Sequence, residues 1–189
     1  MKLYSVSDEY IQYMRSDPLL YNIYDNKETA RAHTRKYIGL VFSNNSFNYF
    51  VPLSSPKPTD YVVINGCSRI RSDVPTIWRM TDRSGILIGT IRFCGMIPVP
   101  AGELELYDVS AEKDSGYRNL VNNEILFIAK KKKNKIIRNA CFLYKQKINE
   151  KSLLQKGIRP QSYMAGAVDY KYAEYKCLEF CKMKGISLS

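Results

Sequence analysis

Polar and apolar positions change period twice along this 189-residue chain. Ser7-Asp8-Glu9 opens the first periodic segment, with a hydroxyl suited to cap a helix and two acids where the helix dipole favours them. Tyr10, Ile11, Tyr13 and Met14 then fall on one face. Pro18 ends the segment, because the residue before a proline is driven out of the helical region. A short N-terminal helix is predicted. From Leu19 to Arg35 no period is visible, and an irregular loop holding Tyr21, Tyr24, Asn26 and Lys27 is expected.

From Tyr37 the signal becomes that of strands. Tyr37 to Phe42 is β-branched and aromatic, Asn44-Asn45 marks a turn, and Phe47 to Leu53 returns as a second strand, which predicts a hairpin. Pro56 and Pro58 stop it, since proline cannot donate to a central ladder. Further strands are expected at Tyr61 to Asn65, Ile86 to Phe93 and Glu103 to Val109, the last alternating as Glu-Leu-Glu-Leu-Tyr.

After Ser115 the period lengthens. Tyr117, Val121, Ile125 and Ile128 share one helical face, as do Ile136, Ala140, Tyr144 and Ile148. These form either two helices or one long helix crossed by a lysine run. Gly157 and Pro160 interrupt the pattern, and Tyr163 to Met183 resumes it. The expected fold is α+β in one domain spanning residues 1–189: an antiparallel sheet in the first 110 residues, then helices packed on it.

Charge adds a location. The formal net charge is +11, and between Lys130 and Arg159 there are eleven basic residues and one acid, Glu150. The rest of the chain carries 18 basic and 17 acidic residues, so the excess sits in one stretch. Such concentration is the footprint of a phosphate-backbone binder, although a lysine run alone is more often a solvated helix face. The stretch lacks the broad apolar face of a membrane-surface helix. The longest apolar runs, such as Ile86 to Ile88 and Ile125 to Ala129, are too short to span a bilayer. Met1-Lys2-Leu3-Tyr4-Ser5 lacks the apolar core of a secretory leader, and a cytoplasmic protein is expected.

The chemistry is narrowed by what is scarce. The five cysteines (Cys67, Cys94, Cys141, Cys177 and Cys181) form no C-x-x-C pair, so no zinc or redox motif is indicated. Cys177 and Cys181, one helical turn apart, read as packed thiols. His33 is the one histidine, which excludes a His-pair ribonuclease and a His-rich metal centre. The carboxylates form no ligand-spaced cluster, and neither a metal nor a cofactor is expected. Gly85-Ile-Leu-Ile-Gly89 is not a phosphate loop, and no G-x-S-x-G elbow supports an acyl-enzyme hydrolase. What remains is Pro52-Leu53-Ser54-Ser55-Pro56-Lys57, where two hydroxyls and an ammonium leave a strand end on a proline-stiffened turn. Lys57 can compensate phosphate charge and a serine can position a ribose 2′-hydroxyl; the bland alternative is an ordinary turn. Fifteen tyrosines could stack exposed bases, but most are expected in the core or its rim, Tyr170, Tyr172 and Tyr175 among them.

Three segments together resemble the ToxN/AbiQ/CptN family of type III toxins. They are Leu3 to Ile11; Arg35 to Val41 followed by Tyr49 to Lys57; and Tyr117-Arg118-Asn119-Leu120 with Glu124 to Ile128. The resemblance runs in order through most of the chain. It implies a compact twisted antiparallel sheet or partial barrel flanked by helices, with a helical C-terminal half, related to the Kid/MazF toxins. It implies a metal-independent endoribonuclease cutting adenine-rich RNA to 2′,3′-cyclic phosphate and 5′-hydroxyl ends, acting in growth arrest and phage defence. It also implies an antitoxin RNA of repeated pseudoknots that the enzyme processes and that joins protomers into a closed ring.

Matched position by position, Ser55 corresponds to the family's active-site serine, Ser54 to the hydroxyl residue before it and Lys57 to the motif lysine. Arg35 corresponds to the basic residue before the first hairpin strand, and Tyr10 to a tyrosine near the cleft. Lys36 stands where the family often has proline. RNA contacts are expected from His33, Lys36, Tyr117 and Arg118, and from Lys130, Lys131, Lys132, Lys133, Lys135 and Arg138. The competing readings are a non-catalytic RNA-binding module and, last, a DNA-binding regulator, for which no recognition motif is present. No DNA or membrane partner is expected.

Overall fold

The computed structural model describes residues 1–27, 33–131 and 133–188, and the main chain but not the side chain of residue 40. Ser7 caps α1 (Asp8–Arg15) as expected, its hydroxyl oxygen accepting the Tyr10 N–H at 3.1 Å, with Tyr10, Ile11 and Met14 buried behind it. A cap of this kind contributes about 1 kcal/mol. The same hydroxyl donates to the Glu103 carboxylate, tying the helix start to the far edge of the sheet.

The hairpin forms as β2 (Tyr37–Asn44) and β3 (Phe47–Ser54). Its turn lies one residue later than expected, on Asn45 and Ser46, both at positive φ. A two-residue hairpin needs that backbone to match the strands' twist. Asn44 is thereby left in β2, where its amide donates to the Tyr144 hydroxyl at 2.7 Å. Four further strands enter the main sheet: β1 (Lys2–Val6), β6 (Ile77–Thr81), β7 (Leu87–Arg92) and β9 (Leu104–Leu106). The order is β6-β7-β3-β2-β1-β9, with the two-residue β8 (Ile97–Pro98) also paired to β3 and all pairs antiparallel. The sheet is open, ending at β6 and β9, rather than closed into a barrel. A separate hairpin of β4 (Tyr61–Ile64) and β5 (Cys67–Ile70) stands beside it. The strand expected over Glu103 to Val109 is shorter, because an Ala101–Glu103 turn and a Val109–Ala111 turn claim its ends.

The basic helical region is two helices, α2 (Ser115–Lys130) and α3 (Lys133–Ile148), followed by a short α4 (Glu150–Gln155). Asp114 caps α2. The last helix, α5 (Tyr170–Lys184), begins seven residues later than the Tyr163 start that the period suggested. Asp169 takes the cap by accepting the Tyr172 N–H, and Gly185 closes the other end at φ 65°. Helix α2 packs on β6 and β7, α3 on β2, and α5 on β8 and α1. The α+β class and the helical C-terminal half are as expected.

One cluster of buried apolar residues joins these layers, and tyrosines supply part of it. Tyr49, Tyr144 and Tyr170 meet edge-on or stacked, and the buried Glu174 carboxylate accepts from the Tyr49 and Tyr144 hydroxyls at 2.9 and 2.7 Å. Tyr172 lies at the rim, bonded to Asp17, while Tyr175 is 53% exposed. Gly39 is fixed by two rings: a Cβ there would stand 2.2 Å from the Phe50 ring and 2.7 Å from that of Tyr4. Gly39→Ala is accordingly expected to lower stability by about 3 kcal/mol, the upper range for overpacking, read as a shift of the urea midpoint.

Candidate active site

Strand β3 delivers the candidate residues to the sheet's end. Ser54 is its last residue, 2% exposed and paired with Thr90 of β7, whose hydroxyl donates to the Ser54 carbonyl at 3.3 Å. Ser55 follows and is exposed, so the two serines differ in kind: one is a fixed anchor, the other is open to a substrate. Lys57 is half-buried, with its ammonium 5.9 Å from the centre of the Tyr24 ring.

The turn after Ser55 is held from beneath by Asp60. This carboxylate, 1% exposed, accepts the Lys57 N–H at 2.9 Å, while the Asp60 N–H donates to the Lys57 carbonyl at 2.9 Å. Its charge is met by two buried arginines of neighbouring strands. Arg92 Nη2 lies 2.9 Å from Oδ2, and Arg79 Nη2 lies 3.3 Å from Oδ1. The second contact is Coulombic rather than a hydrogen bond, since Oδ1 and Arg79 Nε have no aligned partner among the described residues. Arg92 Nε donates to Thr90 Oγ1 at 2.8 Å, and so reaches the Ser54 carbonyl through one hydroxyl.

Arg35 grips the same strand end from the other side. It is fully buried, donating from Nη1 to the Leu53 carbonyl at 2.7 Å and from Nε to the Asp25 carbonyl at 3.0 Å. Its guanidinium lies 4.8 Å from the Tyr24 ring centre, so Arg35 and Lys57 both stand near that ring. Burial holds the Tyr24 hydroxyl well above the usual phenol range, hence protonated at neutral pH, although Arg92 and Arg35 pull the other way. On the helix side, the buried Glu124 carboxylate fills the space over Gly89. A Cβ on Gly89 would meet Glu124 Oε1 at 2.7 Å and the Ser54 carbonyl at 3.2 Å.

Ser54, Ser55, Lys57 and Arg35 therefore converge, and the rest of the expected set does not. Tyr10 is a core residue: its ring is fully buried against Phe180 and its hydroxyl donates to the Pro98 carbonyl at 2.6 Å. A side chain so enclosed cannot contact RNA, and Tyr24 is the tyrosine at the site. Lys36 faces away from its neighbour Arg35, as successive side chains of an extended chain do. Its ammonium donates to Ser5 Oγ at 3.0 Å and sits 4.1 Å over Tyr107, in a pocket that also holds Glu105 and Glu112. Burial lowers the Lys36 pKa, partly offset by those acids. His33 stacks face to face on Tyr117 at 3.7 Å and meets Asp114 at 3.2 Å, at the start of α2. Arg118 donates to the Glu112 carbonyl at 3.3 Å. Lys130, Lys133, Lys135 and Arg138 are exposed around the α2–α3 junction, Lys131 is half-buried there, and Lys132 lies outside the described residues.

Sequence reasoning gave no role to Asp60, Arg79, Arg92, Tyr24 or Glu124. Two had a visible signal: an arginine inside an apolar strand pattern, as at Arg79 and Arg92, needs a buried acid to pair with. No described helix is long and apolar enough to cross a membrane.

Comparison with known proteins supplies a context for this geometry. A family model described as the toxin ToxN of type III toxin–antitoxin systems matches residues 2–176. The chain is 28% identical over 183 residues to the endoribonuclease ToxN of Bacillus thuringiensis subsp. kurstaki, covering 95% of this chain and 84% of that one. It is 26% identical over 186 residues to the endoribonuclease AbiQ of Lactococcus lactis subsp. lactis, covering 96% and 90%. A solved structure from work on selective toxin inhibition by a non-coding RNA pseudoknot shares the fold, with a TM-score of 0.75 at 23% identity over 95% of this chain and 96% of that one.

Proposed function

This chain belongs to the ToxN family of type III toxin–antitoxin toxins, and from that membership we propose that it is a cytoplasmic endoribonuclease, a single catalytic domain held in check by an antitoxin RNA. The observation that carries the reading is the strand-end turn, where exposed Ser55 and half-buried Lys57 are set by the buried Asp60 and by the Arg35 grip on the Leu53 carbonyl.

The reaction is a transesterification within the substrate. The 2′-hydroxyl oxygen beside the scissile bond attacks the adjacent phosphorus in line, and the P–O5′ bond breaks. A 2′,3′-cyclic phosphate and a 5′-hydroxyl result, the 2′ proton leaving to a base and one arriving at O5′. Because nucleophile and leaving group both belong to the RNA, the protein's work is positioning and charge compensation, which requires no metal. Ser55 orients the 2′-hydroxyl. Lys57 neutralises the non-bridging oxygens as charge builds on them. Arg35 is a positioning residue, acting through the Leu53 carbonyl that it holds. Unassisted, the Ser55 hydroxyl is too weak a base at neutral pH, so another group receives the proton.

The basic α2–α3 region supplies the RNA surface. By the same reading, the antitoxin is a repeated pseudoknot RNA that the enzyme processes, protomers and RNA close into a ring, and free toxin arrests growth in phage defence. The test is incubation of the pure protein with an adenine-rich single strand in excess EDTA, followed by mapping of product ends. Cyclic-phosphate and 5′-hydroxyl ends are expected. Salt-sensitive binding with no scission would instead favour a non-catalytic RNA-binding module, and cleavage only after Mg²⁺ addition would overturn the metal-free mechanism.

A further inference from the structure

A groove of about 640 Å³ lies between the C-terminal half of α2 and the turn joining β6 to β7. One wall is apolar: Leu126 is 55% exposed, and Phe127 beside it is half-buried. The Lys131 ammonium stands 5.2 Å from the Phe127 ring centre and 5.9 Å from that of Trp78. Asn123 also lines the groove, and its amide makes no hydrogen bond to another described residue. Arg83, Lys130, Lys131 and Lys135 also line the groove. The acid in the lining, Asp82, is engaged by its own turn, where Oδ1 accepts the Ser84 and Ile86 N–H groups at 2.9 Å each.

Lysines alone describe a solvated helix face. Here they surround an apolar wall and an unspent amide, and those three features together match an unstacked nucleobase: a flat apolar face, an edge of donors and acceptors, and flanking phosphates. The groove also has the right neighbour. Glu124, next to Asn123 on α2, reaches Gly89 beside the Ser54 carbonyl, so the helix that lines the groove also touches the strand end that carries Ser55.

We propose that this groove is a nucleobase pocket flanking the cut. An unstacked base of the bound strand lies against Leu126 and Phe127, Asn123 reads its edge, and Arg83, Lys130 and Lys135 hold its phosphates, while Lys131 is paired with Asp73 at 3.7 Å. An asparagine amide pairs two-pronged with adenine N6 and N7, so Asn123 is the residue that would select the adenine that the ribonuclease reading already expects. The inference rests on the ribonuclease reading and adds to it the residues that select the base beside the cut.

The test compares wild type with Asn123→Ala and Leu126→Ser, neither of which removes a fully buried side chain. Ends are mapped after cleavage of a randomised RNA pool, and binding of short adenine- and uracil-only strands is measured by anisotropy. Asn123→Ala should reduce the base preference at one flanking position roughly tenfold, with cutting retained. Leu126→Ser should raise KM severalfold on the preferred sequence. Unchanged base preference in both variants overturns the pocket. A loss equal for every base also overturns it, since that marks phosphate contact only. Base-selective binding by a wild type that cuts nothing, lost in Asn123→Ala, would keep the pocket and sink the ribonuclease reading.

Discussion

A Ser55→Ala variant is expected to lose RNA cleavage by at least about 10²-fold, the usual worth of a side chain that handles a proton or its hydroxyl in a transition state. Folding and antitoxin binding should persist. The side chain is exposed, so its removal leaves no cavity, and surface changes of this kind usually stay within about 0.5 kcal/mol. The basic surface on α2 and α3 is untouched by the change. The measurement is a single-turnover cleavage rate beside a filter-binding curve for the antitoxin. Full activity would remove Ser55 from the mechanism, and joint loss of activity and binding would make it a binding residue instead.

Asp60→Ala should have the largest effect on stability, about 3–5 kcal/mol, because it leaves Arg79 and Arg92 buried without their shared anion. The same substitution removes the acceptor of the Lys57 N–H, so cleavage should fall in variants that still fold. Asp60→Asn keeps an oxygen for that N–H but not the charge, and should recover part of the loss. Urea unfolding of the three proteins separates these effects. A cost for Asp60→Ala well below about 3 kcal/mol would show that the arginines are compensated elsewhere.

Local signals were readable where a short segment determines its own structure. The Ser7 cap, the β2–β3 hairpin and the faces Tyr117 to Ile128 and Ile136 to Tyr144 each follow from neighbouring residues. The strand-end serines and Lys57 were readable for the same reason. Strands β1 and β6 were not. Lys2–Val6 is short and pairs with residues far along the chain, and in β6 the charged Arg79 sits where an apolar residue would complete the alternation. Its burial makes sense only once Asp60 is seen beside it. Tyr10 misled for the opposite reason. Its position in the N-terminal motif suggested the cleft, whereas its spacing with Ile11 and Met14 had already put it on the packed face of α1.

The pairing of β1 with β9 brings Tyr4 opposite Leu106, while the central hairpin closes over two residues. Contacts of such different sequence separation do not form together: loop-closure entropy lets the β2–β3 hairpin nucleate early and makes the β1–β9 edge a late event. The Ser55 turn depends on partners at Arg79, Thr90 and Arg92, which leave the ribosome after it does. A nascent chain therefore carries its serines and Lys57 for some time without the frame that holds their turn, so on the proposed ribonuclease reading a chain truncated before β7 should not cleave RNA.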